Sequence, residues 1–150
     1  MESKYGRYFE EFGVGDVFEH YPAKTILESD NNLFCLLTRN DHPIHSDFEY
    51  AAEYGNMKPL VVGTYIISLV VGMSVRDISG KSIALGYESI THLKPVFIGD
   101  TIYAQTQILS KKESTNPKRG IVEVETKAYN QNGTYVLSLK RSILAPKKAI

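Results

Sequence analysis

The densest chemistry in the chain lies in Asn40-Asp41-His42-Pro43-Ile44-His45-Ser46-Asp47, where amide, carboxylate and imidazole side chains crowd a single loop. An imidazole can take and return a proton near neutral pH and is the commonest general acid or base, so His45 is the first candidate for proton transfer. A single histidine is more often structural, and its neighbours decide the case here. Asn40 stands five positions earlier, and Pro43 stiffens the turn between them, so both side chains can face one cleft. Asp41, His42, His45 and Asp47 are also metal-ligand types. Their spacing matches no familiar motif and no further ligand cluster occurs elsewhere, so no metal is expected.

A second feature follows the loop. Residues 60–75 form the longest apolar run in the chain, with Gly63 near its start. If a helix begins near Leu60, its first N–H groups are unsatisfied and carry the positive end of the dipole. A glycine there lets a carbonyl oxygen come close. Such a site stabilises an enolate, the charge that develops when a proton is added or removed beside a thioester. Tight packing of the helix against a sheet explains a glycine equally well, and both readings stay open.

The elements that position these residues can be read in outline. Residues 16–21 alternate as a first strand that ends before Pro22, with a brief extended piece at 25–27. Ser29 is the expected N-cap of a helix that runs to about Thr38, its apolar spacing carried by Leu33, Phe34, Leu36 and Leu37. Cys35 lies in that stretch and reads as a packing residue. A short helix over 48–54, capped by Asp47 and stopped by Gly55, leads to a long helix over 60–78. Because that segment is apolar on nearly every face, it is expected to be surrounded by protein.

From Ser82 onward the period changes to two. Strands are expected over 83–96, 101–110, 121–129 and 135–143, with Asn132-Gly133 as a hairpin turn and a frayed tail from Pro146. Helices early and long antiparallel strands late predict an α+β fold, an antiparallel sheet wrapped on one buried helix.

Composition narrows the function. The chain has 150 residues, enough for one domain with a substantial core, and its 17 acidic and 17 basic residues cancel. No strong attraction to nucleic acid is expected. The basic pairs Lys111-Lys112, Lys118-Arg119, Lys140-Arg141 and Lys147-Lys148 read as solvated strand ends or as a local anion site. One cysteine permits no internal disulfide, and the start lacks the apolar core of a secretory signal. The apolar run is too short to span a bilayer comfortably, which takes about 20 residues. A cytoplasmic protein without a membrane partner is expected. Dinucleotide and P-loop fingerprints are absent.

Asn40-x-His42-Pro43-Ile44-His45-x-Asp47, followed by Ala51-Ala52, Pro59-Leu60 and Gly63, resembles the hydratase motif of MaoC-like dehydratases, the hotdog-fold (R)-specific enoyl-CoA hydratases. Leu93-Lys94-Pro95-Val96 and Gly99-Asp100-Thr101 resemble that family's second common segment. Val62-Gly63-Thr64, Gly72-Met73-Ser74-Val75, Gly120-Ile121-Val122 and Tyr129-Asn130-Gln131 are similar to its mesaconyl-CoA and itaconyl-CoA hydratase branch. The resemblance implies a single hotdog domain over residues 1–150. It implies reversible addition of water to a short, methyl-branched dicarboxylyl enoyl-CoA, such as mesaconyl-CoA or itaconyl-CoA. The CoA thioester is then the substrate, no separate cofactor is needed, and a homodimer or higher assembly is expected.

The resemblance also assigns roles. His45 becomes the general acid/base and the Gly63 N–H a donor to the thioester oxygen. The family usually pairs an acid with this histidine; here Asn40 stands at the acid's position and His42 where an asparagine is usual. Three arrangements are open: His45 acting with Asn40 as water holder, which is favoured; Asp41 swinging in; or Asp47 orienting His45. Arg39, beside the motif, is the candidate partner for a free substrate carboxylate, or else a surface residue. A non-catalytic acyl-CoA-binding subunit and an acyl-CoA thioesterase are the alternative functions on the same fold.

Overall fold

The computed structural model describes residues 5–56 and 58–149. Five strands form one antiparallel sheet in the order β1-β3-β4-β5-β2: β1 is Val17–Thr25, β2 Ile83–His92, β3 Thr101–Glu113, β4 Arg119–Tyr129 and β5 Tyr135–Pro146. Three helices, α1 (Glu28–Thr38), α2 (Phe48–Glu53) and α3 (Gly63–Ser74), lie between β1 and β2 in the chain. α3 packs on β1, β3 and β5. This is the expected α+β hotdog, a sheet curled around one central helix.

The register of the sheet follows from its apolar alternation, since a slip of one residue would send every core side chain to solvent. On β4, Val122, Val124, Thr126 and Ala128 all face inward and are buried, as their spacing predicts. On β5, Leu137, Leu139 and Ile143 do the same. One core cluster gathers Ile66 and Val70 of α3 with Ile102, Leu137 and Val61; a second joins Ile78 to Phe12, Ile108, Val122 and Ile143. Each such side chain contributes about 1.5–3 kcal/mol when fully buried.

Several expectations are corrected. β1 does not end at Pro22. It is an edge strand, and a register shift between His20 and Lys24 absorbs the proline, which lacks an N–H to donate. α1 is not capped by Ser29. The extended residue Leu27 is its N-cap, and the Asp30 carboxylate accepts the Leu27 N–H at 2.8 Å. Its leucines do not pack either: Leu33, Leu36 and Leu37 are 57%, 78% and 74% exposed, while Asn31 and Cys35 face the core.

The long helix is shorter and less enclosed than its composition suggests. Leu60 to Val62 are extended, with Leu60 bridged to Phe97 and the Val61 N–H donated to Val96 O at 2.8 Å. The helix begins at Gly63 and ends in a wider π turn, Val75–Ser79. Within this chain only the stripe Ile66, Val70, Ser74, Ile78 is buried, because the sheet covers one face alone. β2 stops at His92 rather than near Val96, and all of its residues are exposed.

Two polar groups are placed where the pattern gave no warning. His20 is buried, its Nδ1 2.9 Å from Asp77 Oδ2 and its Nε2 2.6 Å from Thr106 Oγ1, tying the π turn to β1 and β3. Arg141 belongs to no solvated pair. It is buried beneath α3, where its Nη2 donates to Ser74 Oγ at 2.6 Å. The tail is also tied down: Lys147 N–H donates to Lys118 O at 2.9 Å, its ammonium pairs with Glu113, and Lys148 N–H donates to Glu10.

Candidate active site

α1 ends with Arg39 in the left-handed region at φ 57°, which turns the chain sharply into the polar loop. The loop then holds itself. Asn40 Oδ1 accepts the His42 N–H at 3.3 Å, and His42 Nδ1 accepts the Ile44 N–H at 3.1 Å, capping the short 3-10 turn Pro43–His45. The Asp47 N–H donates to Pro43 O at 2.8 Å. The Asp47 carboxylate caps α2 by accepting the N–H groups of Glu49 and Tyr50 at 2.9 and 3.0 Å.

The extended segment before α3 runs beside this turn. Leu60 N–H donates to Ile44 O at 3.0 Å, and His45 Nδ1 lies 2.7 Å from Leu60 O. A carbonyl only accepts, so Nδ1 carries the hydrogen. In the neutral ring Nε2 is then left with its lone pair, and it has no partner among the described residues. The oxygen that orients His45 is therefore Leu60's carbonyl, not the carboxylate of Asp47, which is spent on α2.

Asn31, fully buried on α1, joins the two arms. Its Nδ2 donates to His45 O at 2.8 Å and its Oδ1 accepts the Val62 N–H at 3.0 Å. One side chain thus fixes both the histidine backbone and the residue that caps α3. Beyond Val62, the helix satisfies Tyr65 and Ile66 through Val62 O. The N–H groups of Gly63 and Thr64 donate to no acceptor among the described residues, as expected for the first turn of a helix.

His45 and Gly63 line one cleft of about 340 Å³, together with Ile66, His92 and Lys94. Arg39, Asn40 and Asp41 line a separate hollow of about 580 Å³ with Leu36 and Cys35. The sequence candidates are therefore divided: His45 and Gly63 share a cleft, Arg39, Asn40 and Asp41 sit across the loop from it, and Asp47 is in neither lining. Burial pushes the Cys35 thiol up from its ordinary value, which keeps it protonated.

Two residues escaped the sequence reading. Asn31 carried a faint signal, an amide pair (Asn31-Asn32) inside an apolar helical pattern. His92 carried less, since only the register of β2 brings it to Gly63. A Cβ built on Gly63 would stand 2.9 Å from His92 Nε2, so this position is held to glycine by an imidazole on the sheet.

The MaoC like domain family matches residues 11–130. The chain belongs to that family. This MaoC-like chain is 34% identical over 149 residues to a mesaconyl-CoA hydratase of Cereibacter sphaeroides, covering 99% of its own length and 43% of the relative's. It is 28% identical over 114 residues to an (R)-specific enoyl-CoA hydratase of Aeromonas caviae, covering 75% and 81% of the two. Among solved structures, R-hydratase PhaJ1 of Pseudomonas aeruginosa superimposes with a TM-score of 0.82 at 26% identity, over 96% and 88% of the two chains. The MaoC-like chain spans less than half of the mesaconyl-CoA hydratase it matches.

Proposed function

We propose that this protein is a hydratase/dehydratase, a carbon–oxygen lyase acting on enoyl-CoA thioesters. The observation that carries the reading is His45: its Nδ1 is held by Leu60 O, and its Nε2 is free at a cleft that also presents the first turn of α3. Water gives a proton to Nε2 while its oxygen bonds to the β-carbon. The double-bond electrons move toward the thioester, and the oxygen becomes an enolate that accepts from the Gly63 N–H. The enolate then collapses as Nε2 returns the proton to the α-carbon. One base used twice balances the addition, so an acid at position 40 is not required.

Asn40, the water holder expected from sequence, lines the hollow across the loop with its Oδ1 on the His42 N–H, so in this reading it steadies the loop and the water is held by His45. Asp41 is the reserve carboxylate on the same hollow. The likeness to the mesaconyl-CoA hydratase supports a short, methyl-branched dicarboxylyl substrate, mesaconyl-CoA or itaconyl-CoA, with Arg39 as the candidate cation for its free carboxylate. A homodimer completes the proposal. β2 is an edge strand exposed on both faces, with Ile83, Leu85, Tyr87 and Ile90 uncovered, and an unpaired apolar edge invites a second copy. A cytoplasmic location fits a chain whose one cysteine is a buried thiol; among the described residues no helix is long and apolar enough to cross a membrane.

Incubation with mesaconyl-, itaconyl- and crotonyl-CoA, followed by loss of the enoyl-thioester absorbance, tests the reading. Hydration of at least one is expected. Appearance of free CoA thiol instead marks a thioesterase, and binding without turnover by the folded protein marks a non-catalytic acyl-CoA module. The second of these draws its support from the amide at position 40.

A further inference from the structure

The geometry points to His92 as a second hydrogen-bond donor to the thioester oxygen, acting beside the Gly63 N–H. This rests on the hydratase reading of the His45 cleft. His92 is the last residue of β2, placed opposite Leu137 of β5, and its imidazole lies against the first turn of α3. Its Nε2 and Cε1 stand 2.9 and 3.0 Å from the position of a Cβ on Gly63. The ring therefore occupies the space on Gly63's Cα that any other residue would fill with its own side chain. That space adjoins the free N–H of Gly63, on the wall of the cleft that also holds His45.

Three observations favour a role with substrate over simple packing. His92 is exposed, so it closes no part of the core. Its ring makes no hydrogen bond to any described residue, so it braces no element. It is the second imidazole of the cleft, and the first, His45, already supplies the base. An enolate oxygen held by one backbone N–H on a helix terminus is under-satisfied, because such an oxygen accepts two or more bonds. Among the side chains lining that cleft, His92 carries the ring nitrogen that stands against Gly63, where it can donate to the same oxygen. The same placement accounts for the glycine: residue 63 lacks a side chain so that the oxygen can be approached from both the helix and β2.

The test compares His92→Ala, His92→Gln and wild type on the enoyl-CoA that wild type hydrates best, with thermal unfolding as the control for folding. A donor that meets the thioester oxygen in the bound substrate, and more strongly in the transition state, predicts that His92→Ala lowers kcat by about 10²–10³ and raises KM by about tenfold. The glutamine variant, whose amide keeps an N–H near the same place, should retain kcat within about tenfold and keep the wild-type pH profile. A kcat for His92→Ala within twofold of wild type overturns the proposal. So does a glutamine variant as poor as alanine that also loses one limb of the pH profile, since that is proton transfer. If wild type hydrates no enoyl-CoA, the hydratase reading fails separately, and His92 is then read from calorimetric titration with butyryl-CoA. About tenfold weaker binding by His92→Ala supports a donor to the thioester oxygen, and unchanged binding overturns it.

Discussion

His45 Nδ1 and Leu60 O stand 2.7 Å apart, and that bond joins the polar loop to the strand-like lead-in of α3. It settles which ring nitrogen faces the cleft unprotonated, and it does so with a backbone oxygen that no titration removes. The carboxylate that often orients a histidine is absent from this arrangement. Leu60 is in turn placed by its own N–H on Ile44 O and by its bridge to Phe97.

Replacement of Asn31 should separate positioning from chemistry. Asn31→Leu keeps the volume and removes both bonds, leaving the buried Val62 N–H and His45 O without partners. A cost of about 1–3 kcal/mol is expected from the orphaned groups. The loss in kcat/KM should exceed tenfold although Asn31 touches no substrate, because His45 and the α3 terminus lose their common anchor. Thermal unfolding and initial rates on one sample check both parts.

Gly63 and His92 should behave as one unit. The nearest obstacle to a Cβ at position 63 is the far end of the His92 side chain, which can swing away. Gly63→Ala is therefore expected to fold with a melting temperature close to wild type while losing at least tenfold in kcat. In a His92→Ala background the same change should cost much less. Additive losses in the four proteins of this cycle would show that the two residues act apart.

The loop and the core were open to reading from sequence in different degrees. Strict alternation in β4 and β5 reported the sheet, because burial on one face has no other pattern. Gly15-Asp16 before β1 and Gly99-Asp100 before β3 are turn pairs in the sequence, and each aspartate folds back to accept an N–H, from Gly13 and from Phe97. α1 misled because Leu33, Leu36 and Leu37 carry helical spacing yet lie on its outer side; periodicity reports a stripe, not what covers it. α3 misled differently: its apolar flanks, Tyr65, Ile67, Leu69 and Met73, are half-buried against the core, and the small or polar Thr64, Ser68 and Gly72 mark its open face. His92 and Arg141 were illegible, because their places depend on which strand neighbours which helix end, and the sequence holds that only through long-range register.

Acid should expose the role of Asp30. The Lys24 ammonium, 2.6 Å away, and the Leu27 N–H hold its carboxyl below the ordinary value. A carboxyl depressed in the folded state contributes stability that is present above its unfolded pKa and lost as pH falls through the folded one. Wild type should therefore be more stable than Asp30→Asn at pH 7, and the gap should narrow as pH drops below about 4. Urea unfolding of both proteins from pH 7 to pH 2.5 measures it. A gap that stays constant would mean that the ionised carboxylate contributes nothing to the cap.

The β2 edge gives a separate expectation. Sedimentation or light scattering should return twice the chain mass, and Leu85→Lys, on the uncovered edge strand, should shift it toward the single chain.

In the hydratase reading His45 carries the proton. Its most direct test is the initial rate of enoyl-CoA hydration by wild type and His45→Ala, measured side by side with calorimetric binding of butyryl-CoA. Proton transfer by His45 predicts turnover by wild type, a loss of about 10²–10⁴ in kcat for the variant, and butyryl-CoA affinity unchanged within a few-fold. A His45→Ala protein that hydrates at the wild-type rate would contradict it.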